Sequence, residues 1–321
     1  MDRADKKIGL CATAGKPHFS RTVILQTKHL FGGAMENGRA ILGSGEVRVG
    51  HAVATEAGGW VARGQYSAFG VSFGVMADDI SAYHLLLDRL PPGSENTPTK
   101  SVSRSYSLRT SLPQAEREPV SFSLLADQTL ILRSTDLDDI ADAFESDVRC
   151  HVASSAPRRV FIRAGVVGWR DRAILLPGGP RTGKSTLVRA LVRCGATCFS
   201  DEYAVLDGNT VYPYPSRLPI WTEPGLSGSL LSDELGEITE PGPLSVGIVV
   251  FAPYQSGAVW KPKLLSRGRL LLNMLKHAVA AQSNPDQVLK MLDQVSKNCN
   301  SLEGVRGDAH GVATFLLDRL V

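Results

Sequence analysis

Apolar and polar residues follow two different periods along this chain, and each period predicts a different element. Short apolar runs predict β-strands, whereas apolar residues spaced three and four apart predict amphipathic α-helices. The predicted strands are at 69–75, 121–126, 129–133, 161–167, 173–176, 196–200, 203–206, 210–212 and 246–252. The predicted helices are at 78–90, 136–153, 187–194, 268–281 and 286–295, with a last one that starts near Asp308. This mixture predicts an α/β fold.

The same pattern divides the chain into three regions. Residues 1–60 have frequent glycines and no persistent period, which indicates a poorly structured extension. Residues 65–153 predict a small N-terminal α+β region. Within it, residues 94–117 are mostly Ser, Thr, Arg and Glu, which indicates a linker or a long surface loop. Residues 158–321 hold the remaining elements and predict a second domain.

Composition narrows the class of protein. Hydrophobic residues make up 43% of the chain and charged residues 21%, and the net charge is +3. These values are ordinary for a globular protein, and the charge is too small to indicate a nucleic acid or an anionic membrane as partner. No apolar run is long enough for a membrane span, and no signal peptide is expected. The five cysteines are scattered, which favours a cytoplasmic protein without a zinc site.

Candidate chemistry begins with residues 178–185, which read G-x-x-x-x-G-K-S, the phosphate-binding P-loop pattern. An apolar run at 173–176 precedes this loop and residues at helical spacing follow it, which is the strand–loop–helix context that the motif requires. The prediction is an ATP site with Mg²⁺, in which Lys184 contacts the β- and γ-phosphates and Ser185 ligates the metal. The predicted nucleotide-binding residues are Gly178, Gly179, Pro180, Arg181, Thr182, Gly183, Lys184, Ser185 and Thr186.

Two adjacent acids, Asp201 and Glu202, are the candidates for the carboxylates that such a loop needs. They follow the strand that begins directly after the P-loop helix. In a parallel sheet this strand would lie beside the P-loop strand, with its carboxyl end toward the phosphates. We predict Asp201 as the general base and Ser185, Asp201 and Glu202 as metal-side residues. Because successive side chains of an extended segment point in opposite directions, a surface position for Glu202 stays open.

The P-loop and the segment 199–203, which contains Asp201 and Glu202, together resemble the catalytic domain of HPr kinase/phosphorylase and, more distantly, phosphoenolpyruvate carboxykinase. The resemblance covers roughly residues 160–321. It implies a P-loop kinase domain that transfers phosphate from ATP, with Mg²⁺, to a serine hydroxyl of a protein or peptide. It also implies that Asp201 takes the hydroxyl proton, that Glu202 lies near the metal, and that the chain forms a homo-oligomer.

The chain departs from the pattern of this family at two places. Family members usually carry a histidine where Arg163 stands here, and Arg163 is predicted to bind phosphate instead. A second family signature, Glu followed by Ile or Val, Arg and Gly, is missing, since residues 237–240 match only its first two letters. These departures argue against phosphorolysis and against HPr itself as the substrate.

Three other polar residues stand out in the C-terminal third of the chain. Residues 306–309 resemble an Arg-Gly-acid-Ala turn that is common in the family, so Arg306 is predicted to reach a phosphate, with a plain helix-start position as the alternative. Asn273 and His277 lie one turn apart on a predicted helix. We interpret them as surface or satisfied polar positions.

Three functions remain open at this point. The first is a serine kinase that acts on a protein or peptide. A small-molecule kinase is the second, and a nucleotide-binding regulatory module without efficient phosphotransfer is the third. Asp201 separates the last from the others, because a sensor needs the loop but not a base.

We predict forward transfer without efficient phosphorolysis. Arg163 cannot relay a proton at neutral pH, and the second family signature is absent. A phosphorylated product incubated with inorganic phosphate should therefore yield little pyrophosphate in a coupled assay, with the forward reaction run in parallel as the control. Ready formation of pyrophosphate would contradict the prediction.

Overall fold

Two β-sheets form the framework of this protein. In the computed structural model, residues 59–99, 101–112, 119–215, 218–221, 227–230 and 242–319 are described. They all belong to one unit, His51–Val321. The predicted extension at 1–60 lies outside the described residues except for its last two positions, and so do residues 237–240.

Sixteen strands and six helices are defined within these ranges. The strands are β1 (Ala62–Ala68), β2 (Val71–Ala77), β3 (Glu95–Asn96), β4 (Arg104–Ser111), β5 (Ser121–Ala126), β6 (Thr129–Ser134), β7 (Val160–Trp169), β8 (Arg172–Pro177), β9 (Thr197–Ser200), β10 (Tyr203–Asp207), β11 (Thr210–Tyr212), β12 (Leu218–Trp221), β13 (Ser227–Leu230), β14 (Leu244–Phe251), β15 (Lys263–Leu264) and β16 (Asn300–Glu303). The helices are α1 (Ile80–Leu87), α2 (Leu137–Ser155), α3 (Lys184–Arg193), α4 (Arg267–Leu275), α5 (Pro285–Asn298) and α6 (His310–Arg319).

The first sheet has six strands in the order β3-β1-β2-β4-β5-β6, with α1 and α2 packed against it. Its helix α2 begins at Asp136, whose carboxylate accepts a hydrogen bond from the backbone N–H of Asp138. The apolar stripe of α2 is fully buried against the sheet, as its spacing predicts. This stripe consists of Ile140, Phe144, Val148 and Val152.

Two sequence predictions in this region are corrected by the structure. The strand predicted at 69–75 begins two residues later, because Phe69 and Gly70 have φ values of 51° and 83° and form the turn between β1 and β2. The predicted linker at 94–117 contains β4, which pairs with β2 on one side and β5 on the other. Only Tyr106 and Leu108 are apolar and buried in this strand. Its sequence therefore resembles that of a loop, although the strand has a paired neighbour on each side.

The second sheet has the order β11-β10-β7-β8-β14-β16-β15, and β9 pairs with β7. Strand β14 runs parallel to β8 and to β16, whereas β7 and β8 form an antiparallel hairpin. Alternate residues of β8 enter two separate apolar cores: Leu175 joins the core under α4 and α5, and Leu176 joins the core under α3 and α6. Helices therefore cover both faces of this sheet.

The placement of β9 differs from the sequence prediction. It does not pair with β8, because β7 occupies that side of β8 and β14 occupies the other. Strands β9 and β10 instead follow β7 one after the other, with Ser200 opposite Val166 and Tyr203 opposite Arg163. Asp201 therefore directly follows the end of β9, in the break before β10, but this strand end lies beside β7 rather than beside β8. Both β8 and β9 are antiparallel to β7, so they run in the same direction.

Within the ranges that the structure describes, no helix has the length and apolarity that a membrane crossing requires.

We predict that Gly165→Ala destabilises the fold. A Cβ at this position of β7 would lie 2.6 Å from Cγ2 of Val188 on α3, and overpacking of this kind costs about 1–3 kcal/mol. Urea denaturation followed by circular dichroism measures the effect. The matched control is Gly268→Ala, in the first turn of α4, where a Cβ meets no atom within 4 Å. Equal stability of the two variants would contradict the predicted contact.

Candidate functional site

The glycine-rich loop, residues 178–185, connects the end of β8 to the beginning of α3. Its geometry depends on Gly183, which has a φ of 84° and is the N-cap of α3. No side chain within the described ranges caps this helix. Its first amide groups and the positive end of its dipole are thus available to an anion held by the loop.

The loop is closed on itself by hydrogen bonds to one carbonyl group. The Thr182 hydroxyl donates to the Gly179 carbonyl oxygen at 2.9 Å, and Lys184 Nζ donates to the same oxygen at 2.8 Å. Burial lowers the pKa of Lys184, and Asp201 opposes this shift. The ammonium group therefore lies in the loop with a neutral carbonyl as its hydrogen-bond acceptor.

A tight turn places the two acids next to this loop. The Ser200 hydroxyl accepts hydrogen bonds from the backbone N–H groups of Glu202 at 3.1 Å and Tyr203 at 3.0 Å. The Glu202 carbonyl accepts from the Ala164 N–H on β7 at 3.1 Å. Because β7 extends past the end of β8, this turn lies beside the first residues of the loop.

The Asp201 carboxylate is buried, and only part of it has hydrogen-bond partners. Burial raises its pKa, while a hydrogen bond from the Ser185 hydroxyl and the charges of Lys184 and Arg189 lower it. Its Oδ1 atom is buried and has no hydrogen-bond partner among the described residues. An unpaired buried carboxylate oxygen is costly, so this atom is a position for a proton or a cation.

Glu202 has a different environment, although it is the next residue. Arg149 Nη1, on α2, donates to Glu202 Oε2 at 2.7 Å, and the Tyr203 hydroxyl also hydrogen-bonds this carboxylate. Burial raises the pKa of Glu202, and Arg149 opposes the shift. The sequence predicted Glu202 beside the metal. In the structure its side chain instead turns toward α2 and contacts Arg149.

Two cavities adjoin the loop, and Gly178 and Lys184 line both of them. The first has a volume of about 160 Å³, and we call it the carboxylate cavity. Its lining residues are Arg163, Gly178, Pro180, Lys184, Asp201, Glu202 and Tyr203. The second, of about 230 Å³, lies between the loop, the end of β14 and the end of α4, and we call it the helix cavity.

Sequence reasoning missed the polar residues of the helix cavity. Asn273, Lys276 and His277 line it together with loop residues. The helix predicted at 268–281 ends at Leu275, because the His277 carbonyl accepts a hydrogen bond from the Arg163 N–H at 2.8 Å. Burial, Lys184 and Lys276 lower the pKa of His277. The one-turn spacing of Asn273 and His277 was visible in the sequence, but nothing there connected it to the loop.

Arg306 supports the loop from behind. Its side chain is buried, with 1% of the residue exposed, and Nη2 donates to the Gly183 carbonyl oxygen at 2.5 Å. The neighbouring Tyr254 N–H donates to the Thr182 carbonyl at 3.1 Å. Arg306 lines neither the carboxylate cavity nor the helix cavity. Its guanidinium group thus contacts the backbone of the loop, and the predicted contact with a phosphate stays a prediction.

The other predicted residues divide between the cavities and the surface. Arg163 is exposed, lines the carboxylate cavity and accepts a hydrogen bond from Gly178 N–H through its own carbonyl at 3.2 Å. Pro180 lines the same cavity. Arg181 and Thr186 are exposed and line neither cavity.

Comparison with known proteins yields only distant structural similarity. The sequence matches no protein-family model and no curated protein. Among solved structures, the chain is similar to the HPr(Ser) kinase/phosphatase from Coxiella burnetii, with 11% sequence identity and a TM-score of 0.29. The similarity covers 49% of this chain and 91% of that chain. These values identify neither a substrate nor a reaction for this chain.

We predict that Arg306→Met loosens the glycine-rich loop. The substitution removes the charged donor to the Gly183 carbonyl, and hydrogen bonds to charged groups contribute about 1.5–3 kcal/mol. Hydrogen exchange of amides 179–187 should become faster by a corresponding factor. Arg319→Met, which removes only a contact with the Phe315 ring on α6, is the control. Unchanged exchange in the loop of the Arg306 variant would contradict the assignment.

Proposed function

We propose that this chain is a P-loop kinase that binds ATP at residues 178–186 and transfers the γ-phosphoryl group to a hydroxyl acceptor in the carboxylate cavity. The observation that carries the proposal is the position of Asp201 beside the glycine-rich loop. Its buried carboxylate has one unpartnered oxygen and lines a cavity together with Lys184, and the Ser185 hydroxyl and the Lys184 charge oppose the rise in its pKa. A site of this composition suits a phosphate chain and its counterion.

The loop supplies the groups that hold phosphates. Its amides and the dipole of α3 favour negative charge, and Lys184 adds a mobile cation. To bind a phosphate oxygen, Lys184 gives up its hydrogen bond to the Gly179 carbonyl. This exchange is favourable because a charge-assisted bond to an anion is stronger than a bond to a neutral carbonyl.

The residues present fit a magnesium ion. The Ser185 hydroxyl and the Asp201 carboxylate are hard oxygen ligands of the kind that Mg²⁺ prefers. Among the residues that the structure describes, no group of three or more His, Cys, Asp or Glu could hold a metal without help. Phosphate oxygens would complete the ligand set, as in other nucleotide sites. When bound, Mg²⁺ would neutralise charge on the phosphates.

Asp201 also has the position of the base in the transfer step. The acceptor oxygen forms a bond to the γ-phosphorus while the bond from this phosphorus to the bridging oxygen breaks, which releases ADP. The hydroxyl proton goes to the Asp201 carboxylate, and the burial that raises the pKa of this carboxyl makes it a better base at neutral pH. Arg163 and Lys184 line the same cavity and stabilise the charge on the transferred group.

A serine side chain of a protein or peptide is the acceptor that we favour. The carboxylate cavity has a volume of about 160 Å³. Pockets that enclose a whole small-molecule ligand usually measure about 300–1,000 Å³. A cavity below this range admits one small side chain of a larger partner more readily than a complete small molecule.

We predict that Asp201→Asn lowers the transfer rate by about 10²–10⁴-fold, the usual contribution of a general base. Affinity for MgATP should stay within a few-fold, because the loop amides and Lys184 carry binding. ADP release is measured with MgATP, with and without a serine-containing peptide library, and affinity is measured by calorimetry. Lys184→Ala is the control that should lose binding.

Two outcomes would contradict this assignment in different ways. If Asp201→Asn releases ADP at the parent rate, Asp201 is not the base and a nucleotide-binding regulatory module becomes the better description. If Lys184→Ala binds MgATP like the parent chain while remaining folded, the loop is not the nucleotide site.

A further inference from the structure

A chain of ion pairs reaches the carboxylate cavity from the first sheet. Arg149 lies on α2, and only 12% of its side chain is exposed. One of its terminal nitrogens donates to Glu202 Oε2 at 2.7 Å, and the other pairs with Glu145 one turn earlier on the same helix. Helix α2 packs on the six-stranded sheet, so the partner of Glu202 comes from outside the sheet that carries the loop.

The guanidinium group of Arg149 is itself held in place from behind. Glu145 also accepts from Arg89 Nη1 at 3.0 Å, and the same nitrogen of Arg89 donates to Asp142 Oδ1 at 2.5 Å. Arg89 lies just after α1, so two helices contribute to the chain of ion pairs. Because Glu145 and Arg89 each have a second partner, Arg149 has little freedom to leave Glu202.

This contact changes the charge that a ligand meets in the cavity. Two cations, Arg163 and Lys184, and two carboxylates line it, which would sum to zero if all four were free. Arg149 neutralises Glu202, so the lining becomes positive toward an incoming phosphate. It also separates the roles of the two acids, since Asp201 keeps a buried oxygen without a hydrogen-bond partner, whereas Oε2 of Glu202 accepts from Arg149.

We propose that Arg149 is a positioning residue of the site: it holds the Glu202 carboxylate against α2 and cancels its charge, so that nucleotide phosphates meet Asp201 as the free carboxylate. This inference rests on the proposed function. The six-stranded sheet, through its helix α2, thus takes part in nucleotide binding. Glu202 lines the cavity as a neutralised carboxylate and is not a metal ligand.

The test measures MgADP affinity of the full chain by calorimetry. Arg149→Met should weaken it by about tenfold, because an unpaired carboxylate then repels the phosphates at close range. Arg149→Lys keeps the charge and should restore most of the affinity. The double variant Arg149→Met/Glu202→Gln should bind like Glu202→Gln alone. Arg104→Met is the matched control, because Arg104 pairs at 3.0 Å with Asp147 on α2, and Asp147, unlike Glu202, does not line the carboxylate cavity.

The double variant separates positioning from simple structural support. If α2 only stabilises the fold, the affinity loss of Arg149→Met persists when Glu202 is also replaced, and the inference is overturned. The double variant leaves neither residue 149 nor residue 202 charged. Its comparison with Glu202→Gln alone therefore remains possible even where Arg149→Met fails to fold. Equal affinity of a folded Arg149→Met and the parent chain overturns the inference alone. A parent chain that binds no MgADP overturns the proposed function and the inference with it.

Discussion

Backbone pairing along β7 is the constraint on which the site depends. This strand pairs with β8 on one side and with both β9 and β10 on the other, and it extends past the end of β8. Its length therefore brings the glycine-rich loop and the turn with Asp201 to the same place. Close packing of α3 against Gly165 holds the two together. A shift of one residue in either pairing would turn the acids to the opposite face of the sheet.

Burial gives the charged groups of the site their properties. Lys184, Asp201, Glu202 and His277 all have shifted pKa values, and loss of solvent is the largest cause in each case. The opposing influences differ: Glu202 forms an ion pair with Arg149 of α2, whereas the pKa of Asp201 is lowered by the Ser185 hydroxyl and by the charges of Lys184 and Arg189. Two adjacent carboxylates are thereby given different environments, which is the usual physical basis for different chemical roles.

The parts of the site that are local in sequence were predictable, and the parts that depend on distant pairing were not. The loop, helix α3 and its end at Gly195, with a φ of 97°, follow from short-range rules about glycine and helical spacing. The partner of β9 was predicted wrongly, because strand order depends on which strands compete for each edge. Arg149 lies on the polar side of an amphipathic helix, and its contact with Glu202 spans 53 residues. Strand β4 was missed since two buried apolar residues do not establish a period.

The support that Arg306 gives to the loop has a consequence for biosynthesis. The hydrogen bond from its side chain to the Gly183 carbonyl joins residues 123 positions apart. Chains fold progressively as they leave the ribosome, at about 5–20 residues per second. The loop emerges with β8 and α3, but its buttress arrives only after α5 and β16 have been made. The nascent chain therefore carries the glycine-rich loop without this buttress for most of the synthesis of the sheet, until its C-terminal segment docks.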